Sequence, residues 1–547
     1  MFFFGSIFLT NFYLYLYGKI INNYFFKDSK NSCAEVAIYG CVFVSFLALL
    51  INFFSPLDTI TNTFLLIIPF LFLFKKNLLF KKDIKFIFIS SIFVSLIIAF
   101  SNINTPDAGL YHLPYTQILN ENKIIIGLNN LHFRFGHISI IQYLSAINYN
   151  LINNINGILI PLASLIVFIY LYFLKEVINF IKKKEDLTIN NIFCLMVLAY
   201  SSYKINRYSG FGNDAVAHFL FFYLISIYFK SRKNYESLNK IAITATYIFL
   251  NKVTLMFAFI FPLFSFFYLK KKETKIFYSF SAFFLFLWLI KNVLVSSCLI
   301  YPIEKTCFNK LEWSNKHETI KQSISGEAWA KGWPNRFDKK IKIEKFIKEF
   351  KWINAWSSVH LKYILNIIIP FFIFLILIIV LINYYKITKF HNLKLDQTNK
   401  KKLLCSVIIL AFATGIFFLK FPLYRYGYSY LISLMILVSA SLIFRYDKLF
   451  IKKIFKYILI LSLVIISLKQ FVRINKNFNF NSVWPNIYSF KHFKKDSDPL
   501  KKDIGKNYYI FISNKECMYN KAPCTNSFNK KTSHKKQFGF DVIFVKD

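Results

Sequence analysis

Long apolar runs separated by short polar connections dominate the chain up to about residue 470. A bilayer core of about 30 Å requires roughly 20 apolar residues in a helix, and about fourteen windows approach that length. The windows are 2–18, 34–53, 58–74, 85–101, 157–175, 189–204, 215–229, 239–251, 253–269, 276–297, 361–383, 403–419, 427–444 and 454–470. This pattern predicts an all-α polytopic membrane protein.

The residues after 470 follow a different pattern. They are polar and basic, with two short runs rich in β-branched and aromatic residues at 507–513 and 540–546. Such runs are typical of β-strands, and the segment ECMYNKAPCTN (516–526) lies between them. The sequence therefore predicts a small C-terminal appendage that contains β-structure.

Composition supports the membrane assignment. Hydrophobic residues make up 56% of the 547 positions, aromatic residues 20% and charged residues only 17%. This composition excludes a soluble enzyme, a secreted disulfide scaffold and a disordered chain. The formal net charge of +41 does not indicate a nucleic-acid partner, because the lysines cluster in short loops between apolar runs.

The distribution of Lys and Arg predicts an orientation. One set of loops carries most of these residues and is predicted to be cytoplasmic: 75–85, 182–184, 230–233, 270–275, 400–402 and 445–456. Both termini and the alternate segments then face the outside: 102–136, 204–214, 251–252, 298–360, 420–426 and 471–547. The predicted location is the bacterial inner membrane, with the active face periplasmic or extracellular.

Four of the eight cysteines form two close pairs in segments predicted to be outside, Cys298 with Cys307 and Cys517 with Cys524. Disulfides persist in that compartment, so we expect two disulfide bonds. Four unrelated free thiols remain the alternative.

The first outer loop (102–136) is the densest polar segment. Asp107 follows the fourth predicted span, and the same loop continues with Tyr111, His112, His132 and Arg134. An isolated Asp at a membrane surface is typically a solvated carboxylate. A carboxylate, imidazoles and a guanidinium together can instead activate a hydroxyl and hold a phosphate.

These residues carry a resemblance to a known family. The segments DAGLYHLP (107–114) and IIIGLNNLHFRFGH (124–137) resemble the first outer loop of uncharacterised bacterial envelope proteins of GT-C-like architecture. FGNDAVAHFL, KNVLVSSCLIYP and FPLYRYGYSY resemble the same group, in the same order, over roughly residues 85–470. Two features depart from the simpler GT-C pattern: three predicted spans precede the catalytic loop, and the second acid, Asp214, lies in a later loop.

The resemblance implies an inverting glycosyltransferase that uses a polyprenyl-phosphate-linked sugar. It implies that Asp107 deprotonates an acceptor hydroxyl on an envelope glycan or lipid, with His112 and Asp214 as further catalytic residues. Tyr111, His132 and Arg134 are then expected to contact substrate. The resemblance specifies no cofactor. From its position, Asp214 either orients the acceptor or binds a divalent metal, with His218 one turn along the same span on the same face. The alternative for Asp214 is a helix N-terminal acid favoured by the macrodipole.

A lipid phosphate remains at the membrane surface, so its binding cations should lie at the same boundary. Lys252, Lys291 and Arg425 occupy such positions. Arg425 is equally consistent with an interfacial anchor, and Lys291 with a side chain that snorkels to the headgroups.

The loop 298–360 contains Trp313, Trp329, Trp333, Trp352 and Trp356. Its stretch 339–352 is amphipathic and basic, which favours a helix lying on the membrane surface. The alternative is that the tryptophans stack on sugar rings.

The predicted organisation is N-terminal extra spans (1–84), a GT-C-like core (85–297), a large outer loop (298–360), C-terminal spans (361–470) and an outer tail (471–547). Two other functions remain open, an O-antigen polymerase or ligase and a polytopic transporter or flippase. Transporters place ionisable residues near the middle of the bilayer, whereas the polar residues here are predicted at one face.

Overall fold

The structure, a computed structural model, is built mainly from α-helices. It describes residues 2–26, 31–72, 79–101, 107–182, 187–204, 212–231, 235–267, 277–384, 397–444, 448–477, 499–505, 507–519, 521–529 and 531–546. Parts of the lysine-rich loops that set the predicted orientation, at 75–78, 183–184, 232–233 and 270–275, lie outside the described residues.

Helices follow one another along most of the described chain. They are α1 (Phe2–Phe25), α2 (Cys33–Asn52), α3 (Thr59–Leu71), α4 (Lys81–Ile98), α5 (Leu113–Glu121), α6 (Ile140–Ile147), α7 (Ile160–Lys182), α8 (Ile189–Lys204), α9 (Asp214–Lys230), α10 (Tyr235–Asn251), α11 (Ile260–Phe267), α12 (Phe277–Ser296), α13 (Lys316–Ala330), α14 (Ile343–Lys348), α15 (Trp352–Trp356), α16 (Lys362–Tyr384), α17 (Gln397–Lys420), α18 (Tyr424–Ile443) and α19 (Lys448–Asn477). Short π or 3₁₀ turns join several of them, including Ala108–His112, Leu128–Asn130, Phe133–His137 and Val253–Phe259.

The centre of the bundle is formed by helices that are apolar on every side. All residues of α7 from 160 to 173 and all residues of α9 from 216 to 229 are buried. The Tyr172 and Tyr223 rings meet edge to face at 4.9 Å between α7 and α9, and the Tyr223 hydroxyl contacts that of Tyr39 in α2 at 3.2 Å. An apolar helix of this kind belongs inside a large bundle or a membrane.

Several helices are long and apolar enough to cross a membrane. Among the described residues these segments are Cys33–Asn52, Asn154–Lys182, Trp352–Tyr384, Gln397–Lys420 and Tyr424–Ile443, with shorter apolar helices at Thr59–Leu71, Val253–Phe267 and Phe280–Ser296. Together they indicate a membrane protein. The larger set of about fourteen spans stays a prediction.

The outward faces of these helices are also apolar. In α16 the exposed side chains include Ile369, Phe372, Ile373 and Ile376. In the most apolar 18-residue stretch of Trp352–Tyr384, only 24% is buried inside the protein. A helix that shows such a surface to water would drive aggregation. Contact with lipid tails removes that cost.

The first predicted loop (102–136) contains more regular structure than its polar sequence suggested. Its described part forms the π turn Ala108–His112, the helix α5 and two 3₁₀ turns. The next helix, α6, begins with a capping box in which Ser139 and Gln142 each accept a hydrogen bond from the other's backbone. The loop is therefore a compact unit able to hold side chains in fixed positions.

Helix α19 fixes the end of α4, just before this loop. The Arg473 guanidinium donates to the carbonyl groups of Leu96 and Ala99 at the C-terminus of α4. Asn477 donates to the carbonyl of Phe100 at 2.9 Å. These side chains satisfy carbonyl groups that a helix end leaves without partners.

The C-terminal tail contains the predicted β-structure. A three-stranded sheet has the order β1 (Leu500–Asp503), β2 (Tyr509–Ile512) and β3 (Cys524–Thr525), and a hairpin pairs β4 (Thr532–Gln537) with β5 (Phe540–Val545). Strand β2 is antiparallel to β1 and parallel to β3. The two predicted strand runs correspond to β2 and β5.

Both predicted disulfides are present, Cys298–Cys307 and Cys517–Cys524. The second closes the chain between β2 and β3. The other cysteines, Cys33, Cys41, Cys194 and Cys405, are free.

The tail packs directly on the first loop. The backbone N–H of Ile126 donates to Asp541 at 2.9 Å, and that of Ile543 donates back to Ile126 at 2.9 Å. Gly127 has φ +67°, and a Cβ there would lie 2.1 Å from the carbonyl oxygen of Ile543. This close approach of two backbones therefore requires glycine.

Candidate active site

Asp107 is the first described residue of the first loop and immediately precedes the π turn Ala108–His112. The turn runs without interruption into α5, whose first turn contains Pro114. Because proline has no backbone N–H, it donates no hydrogen bond to the carbonyls of the π turn. The widened π geometry of such turns is frequently found at functional sites. Asp107 and His112 are thus fixed by helical backbone at the two ends of one turn.

Each carboxylate oxygen of Asp107 accepts a hydrogen bond from a different arginine. Arg134 Nη1 lies 3.1 Å from Oδ1, and Arg425 Nη1 lies 2.6 Å from Oδ2. The three side chains are 26%, 34% and 28% exposed for Asp107, Arg134 and Arg425. The cluster is therefore partly open to solvent, and a ligand can reach it without unfolding of the surrounding helices.

Arg134 is held by its neighbours in the first loop. His132 Nδ1 accepts a hydrogen bond from the backbone N–H of Arg134 at 3.2 Å and so caps the turn Phe133–His137. The Arg134 guanidinium lies 5.1 Å from the ring centroid of Tyr111, a cation–π distance. Asp107, Tyr111 and Arg134, which the sequence predicted as site residues, therefore form one contact group.

Arg425 lies at the start of α18 and is positioned through its backbone. His218 in α9 donates from Nε2 to the Arg425 carbonyl at 2.9 Å, and its Nδ1 accepts from the Ser429 hydroxyl at 2.8 Å. Because both ring nitrogens are engaged, His218 acts as a buried link between α9 and α18. This arrangement does not favour His218 as a partner of Asp214 in metal binding.

A second ion pair lies beside the first. The Lys252 ammonium, at the end of α10, contacts the Asp214 carboxylate, at the start of α9; their side chains are 7% and 37% exposed. Asn213 Nδ2 donates to the Asn251 carbonyl at 2.7 Å and ties the two turns together. The macrodipole of α9 adds to the preference for an acid at position 214.

Tyr426 connects the two ion pairs. Its ring centroid lies 5.0 Å from Lys252 Nζ and 5.5 Å from the Arg425 guanidinium carbon. Two acids, three cations and an aromatic ring thus meet where the first loop contacts the ends of α9, α10 and α18. The charged residues were expected from the sequence, but Tyr426 was not, because it carries no signal beyond its place in FPLYRYGYSY.

His112 is buried between the two turns. Gln142 Nε2 donates to its Nδ1 at 2.6 Å, and a Cβ at Gly212 would lie 3.2 Å from its Nε2. Burial lowers the pKa of His112 to about 4, although the carboxylates of Asp107 and Asp214 oppose the shift. His112 is therefore neutral near pH 7 and can polarise or orient a bound group without adding charge.

Two further predicted site residues, His132 and Lys291, are buried. Besides capping Arg134, His132 hydrogen-bonds to the Asn526 side chain in the tail. Lys291 in α12 is 1% exposed and its Nζ lies 3.5 Å from the Trp288 ring centroid. Lys291 makes no ion pair with a described residue, and the snorkelling suggested by its sequence position is not observed. The role of Lys291 in phosphate binding stays a prediction.

The tail brings one further acid to the Asp107 turn. The backbone N–H of Met518 donates to the Gly109 carbonyl at 2.9 Å, and a Cβ at Gly109 would lie 2.1 Å from a Glu516 carboxylate oxygen. This contact was not predictable, because Glu516 lies in the tail and has no patterned spacing to the first loop. Cys517, adjacent to Glu516, belongs to the disulfide that fixes this segment.

The described residues include no group of three or more His, Cys, Asp or Glu side chains that could hold a metal ion. Asp107 and Asp214 each have a basic partner instead. The possible divalent metal stays a prediction, with Asp214 as its named ligand.

Comparison with known families adds a family assignment. Residues 1–432 match the family model described as a domain of unknown function, DUF8201. The chain belongs to this family. The DUF8201 match includes both ion pairs, since Asp107, Asp214, Lys252 and Arg425 all precede residue 432.

The β-containing tail lies outside the DUF8201 match, which ends within α18. Neither a curated protein nor a solved structure matches the chain.

Proposed function

We propose that the protein is a membrane glycosyltransferase. It transfers a sugar from a polyprenyl-phosphate carrier to an envelope glycan or lipid on the outer face of the bacterial inner membrane. The single observation that carries the proposal is the Asp107 carboxylate held between Arg134 and Arg425, at the end of helices apolar enough to lie in lipid.

The cations suit a lipid phosphate. Guanidinium groups bind phosphate oxygens through two donors at once, and such charge-assisted hydrogen bonds are among the stronger ones. Each arginine now donates one hydrogen bond to Asp107. Arg425 Nε is buried and has no hydrogen-bond partner among the described residues. A phosphate beside Arg425 gives this group an acceptor.

Asp107 suits the role of general base. In the resting site both of its oxygens are hydrogen-bonded to arginines, so an acceptor hydroxyl has to compete with an arginine for either oxygen. A phosphate that takes over Arg425 frees one carboxylate oxygen for an acceptor hydroxyl. Binding of the donor and activation of the base are then coupled by an exchange of ion-pair partners.

The chemical step is an inverting displacement at the anomeric carbon. Asp107 takes the proton of the acceptor hydroxyl, and the acceptor oxygen forms the new bond to that carbon. The bond from the carbon to the phosphate oxygen breaks, and its electron pair leaves with the polyprenyl phosphate. Arg425 and Arg134 stabilise the charge that develops on the phosphate.

Asp214 and Lys252 form the second part of this site. Burial lowers the pKa of Lys252 and the Asp214 carboxylate opposes that shift, while the ion pair holds the ammonium in place. Lys252 lies on the Tyr426 side of Arg425. In this proposal neutral His112 orients the acceptor rather than removing its proton.

An O-antigen polymerase or ligase is the second candidate. The observation that favours it is the presence of two arginines and a histidine, Arg134, Arg425 and His112, around one carboxylate. Such an enzyme takes its glycan from a polyprenyl pyrophosphate instead of a monophosphate. The two candidates therefore differ in the donor they accept.

The test uses the full-length protein in lipid nanodiscs. Radiolabelled polyprenyl-phosphate sugars and polyprenyl-pyrophosphate oligosaccharides are supplied in parallel with an envelope lipid extract as acceptor. We expect transfer from the monophosphate donor and a loss of about 10²- to 10⁴-fold in Asp107→Asn, typical for removal of a general base. Asp338→Asn, in an exposed part of the loop 298–360, serves as control.

Transfer from the pyrophosphate donor alone would favour the second candidate. Normal transfer by Asp107→Asn together with its loss in Asp214→Asn would mean that Asp214 is the base. No transfer from either class of donor would contradict both candidates.

A further inference from the structure

Trp329 differs from the other tryptophans of its loop. It lies at the end of α13 and is 48% exposed, whereas Trp352 and Trp356 are 1% and 7% exposed. Those two pack against Phe418 in a small core of their own. The predicted helix over 339–352 is in fact broken into α14 and α15, with Phe350 at φ +56° between them, because Trp352 turns into this core.

The backbone beneath Trp329 is fixed. Lys331 is buried, donates to Glu327 at 2.7 Å and lies 5.1 Å over the Trp352 ring. Gly332 has φ +86°, and a Cβ there would lie 2.9 Å from the backbone of Ala355. Trp329 is therefore an exposed indole on a rigid base.

The indole lies beside the candidate active site. The Arg425 guanidinium carbon is 5.7 Å from the Trp329 ring centroid, and the same guanidinium holds Asp107 at 2.6 Å. The Trp329 ring, the Arg425 guanidinium and the Asp107 carboxylate thus lie side by side in space, with the guanidinium in the middle. A sugar ester-linked to a phosphate on Arg425 has to place its ring near one of these neighbours.

We infer that Trp329 is the stacking platform for the sugar unit of the donor, which we assign to the hexopyranose class. This inference rests on the proposed function. One side of a pyranose ring presents mainly C–H groups and stacks on an aromatic face, while its hydroxyl groups remain available to polar neighbours. Trp329 supplies the face, and Arg425 and Asp107 supply the polar neighbours. Trp329 then determines specificity and does not take part in the bond-making step.

The test separates sugar binding from phosphate binding. Equilibrium binding of two kinds of probe to the full-length protein in nanodiscs is measured. One is farnesyl phosphate, and the other is farnesyl phosphate esterified with glucose, galactose, mannose or N-acetylglucosamine. The readout is the ratio of the two affinities, which isolates the contribution of the sugar. We expect at least one hexosyl probe to bind more tightly than farnesyl phosphate to the wild type.

Trp329→Ala should reduce that ratio by about 3- to 10-fold, the value of one good aromatic contact, without changing the affinity for farnesyl phosphate. Trp329→Phe should retain part of the ratio. Phe337→Ala, at an aromatic residue of the same loop that is 76% exposed, is the matched control and should leave it unchanged. Arg425→Gln should weaken both probes to a similar degree.

An unchanged ratio in Trp329→Ala, or the absence of a sugar effect in the wild type, would overturn the inference. The same holds if Trp329→Ala lowers only the melting temperature or the yield in membranes, as expected for an interfacial anchor. In these cases the proposed function survives when Arg425→Gln still weakens farnesyl phosphate. If the wild type binds neither probe, the proposed function fails, and the inference fails with it.

Discussion

The Arg425 Nη1 group donates a hydrogen bond of 2.6 Å to Asp107 Oδ2, although 318 positions separate the two residues. This contact joins the first loop to the start of α18, and it uses the donor that a bound phosphate would need. An anion that binds Arg425 must therefore compete with the protein's own carboxylate. The competition distinguishes this site from one in which the acid and the cation act independently.

The first prediction follows from this competition. Asp107→Asn should reduce transfer by about 10²- to 10⁴-fold. It should also increase the affinity for farnesyl phosphate by about 3- to 10-fold, because both arginines lose their internal anion. The expected gain is below the full value of a charged hydrogen bond, since the three side chains are partly exposed and screened. Equilibrium binding in nanodiscs measures it.

Arg425→Gln should show the opposite effect and bind the same probe about 10-fold more weakly. Arg336→Gln, whose guanidinium stacks on Trp333 at 3.9 Å, controls for the loss of positive charge in a neighbouring segment. Weaker binding by Asp107→Asn would mean that Asp107 supports the phosphate site instead of competing with the phosphate.

The second prediction concerns the Lys252–Asp214 pair. Lys252→Met leaves a carboxylate without its cation, and Asp214→Asn leaves a buried ammonium, so each should lower the free energy of unfolding by about 1–2 kcal/mol. This range allows for solvent screening, because the Asp214 side chain is 37% exposed. Thermal unfolding in detergent provides the measurement.

The double variant Lys252→Met/Asp214→Asn should lose less stability than the sum of the single variants. Strict additivity would show that the pair contributes no coupling energy. In that case the Lys252 ammonium would not depend on Asp214, which is the result expected if it binds the lipid phosphate directly.

The site could be anticipated from the sequence where its signal is local. Asp107, Tyr111 and Arg134 belong to one loop, and their polar side chains stand out between apolar spans. Arg425 was expected on the same side of the membrane as the first loop, because the distribution of lysines predicts that both segments 102–136 and 420–426 face the outside. Its direct bond to Asp107 was not predictable, because loop residues far apart in the chain carry no periodic pattern that specifies their contacts.

Other features depended on tertiary packing that has no local signal. The contacts of His132 with a neighbouring backbone N–H and with Asn526 in the tail follow from no local pattern. The same holds for the packing of Lys291 over Trp288. The roles of both residues in substrate binding stay predictions. Strand runs in the tail were predictable from their β-branched and aromatic residues, whereas β1, β3 and β4 are too polar or too short to show.

The third prediction tests the contact between the tail and the Asp107 turn. Gly109→Ala places a methyl group where the Glu516 carboxylate and the Met518 sulfur now lie. Both atoms are at the ends of flexible side chains, so the helix should tolerate the change at a cost of about 1 kcal/mol. The tail segment, however, should detach more often, and limited proteolysis should cleave it faster in Gly109→Ala than in the wild type.

Gly326→Ala is the matched control, because a Cβ at that position in α13 has nothing within 4 Å. It should leave proteolysis unchanged and slightly stabilise the helix. Shortening Glu516 in the double variant Gly109→Ala/Glu516→Ser should restore part of the protection. Equal cleavage of wild type and Gly109→Ala would show that the tail does not depend on this contact.

The last prediction concerns pH. Burial and the nearby Arg134 lower the pKa of His132 to about 4 in the folded protein, whereas an unfolded histidine titrates near 6.5. Between these values the unfolded state binds more protons, so the free energy of unfolding falls as the pH drops from 6.5 towards 4, by at most about 1.4 kcal/mol per pH unit for one ring.

The variant His132→Asn keeps an acceptor for the Arg134 N–H, since Asn caps helical turns well, but removes the titrating group. Melting temperatures in detergent from pH 7.5 to 4.5 should therefore fall less steeply in His132→Asn than in the wild type, while His317→Asn, at an exposed position, should follow the wild-type curve. Parallel curves for wild type and His132→Asn would mean that His132 is protonated to the same extent in the folded and unfolded states.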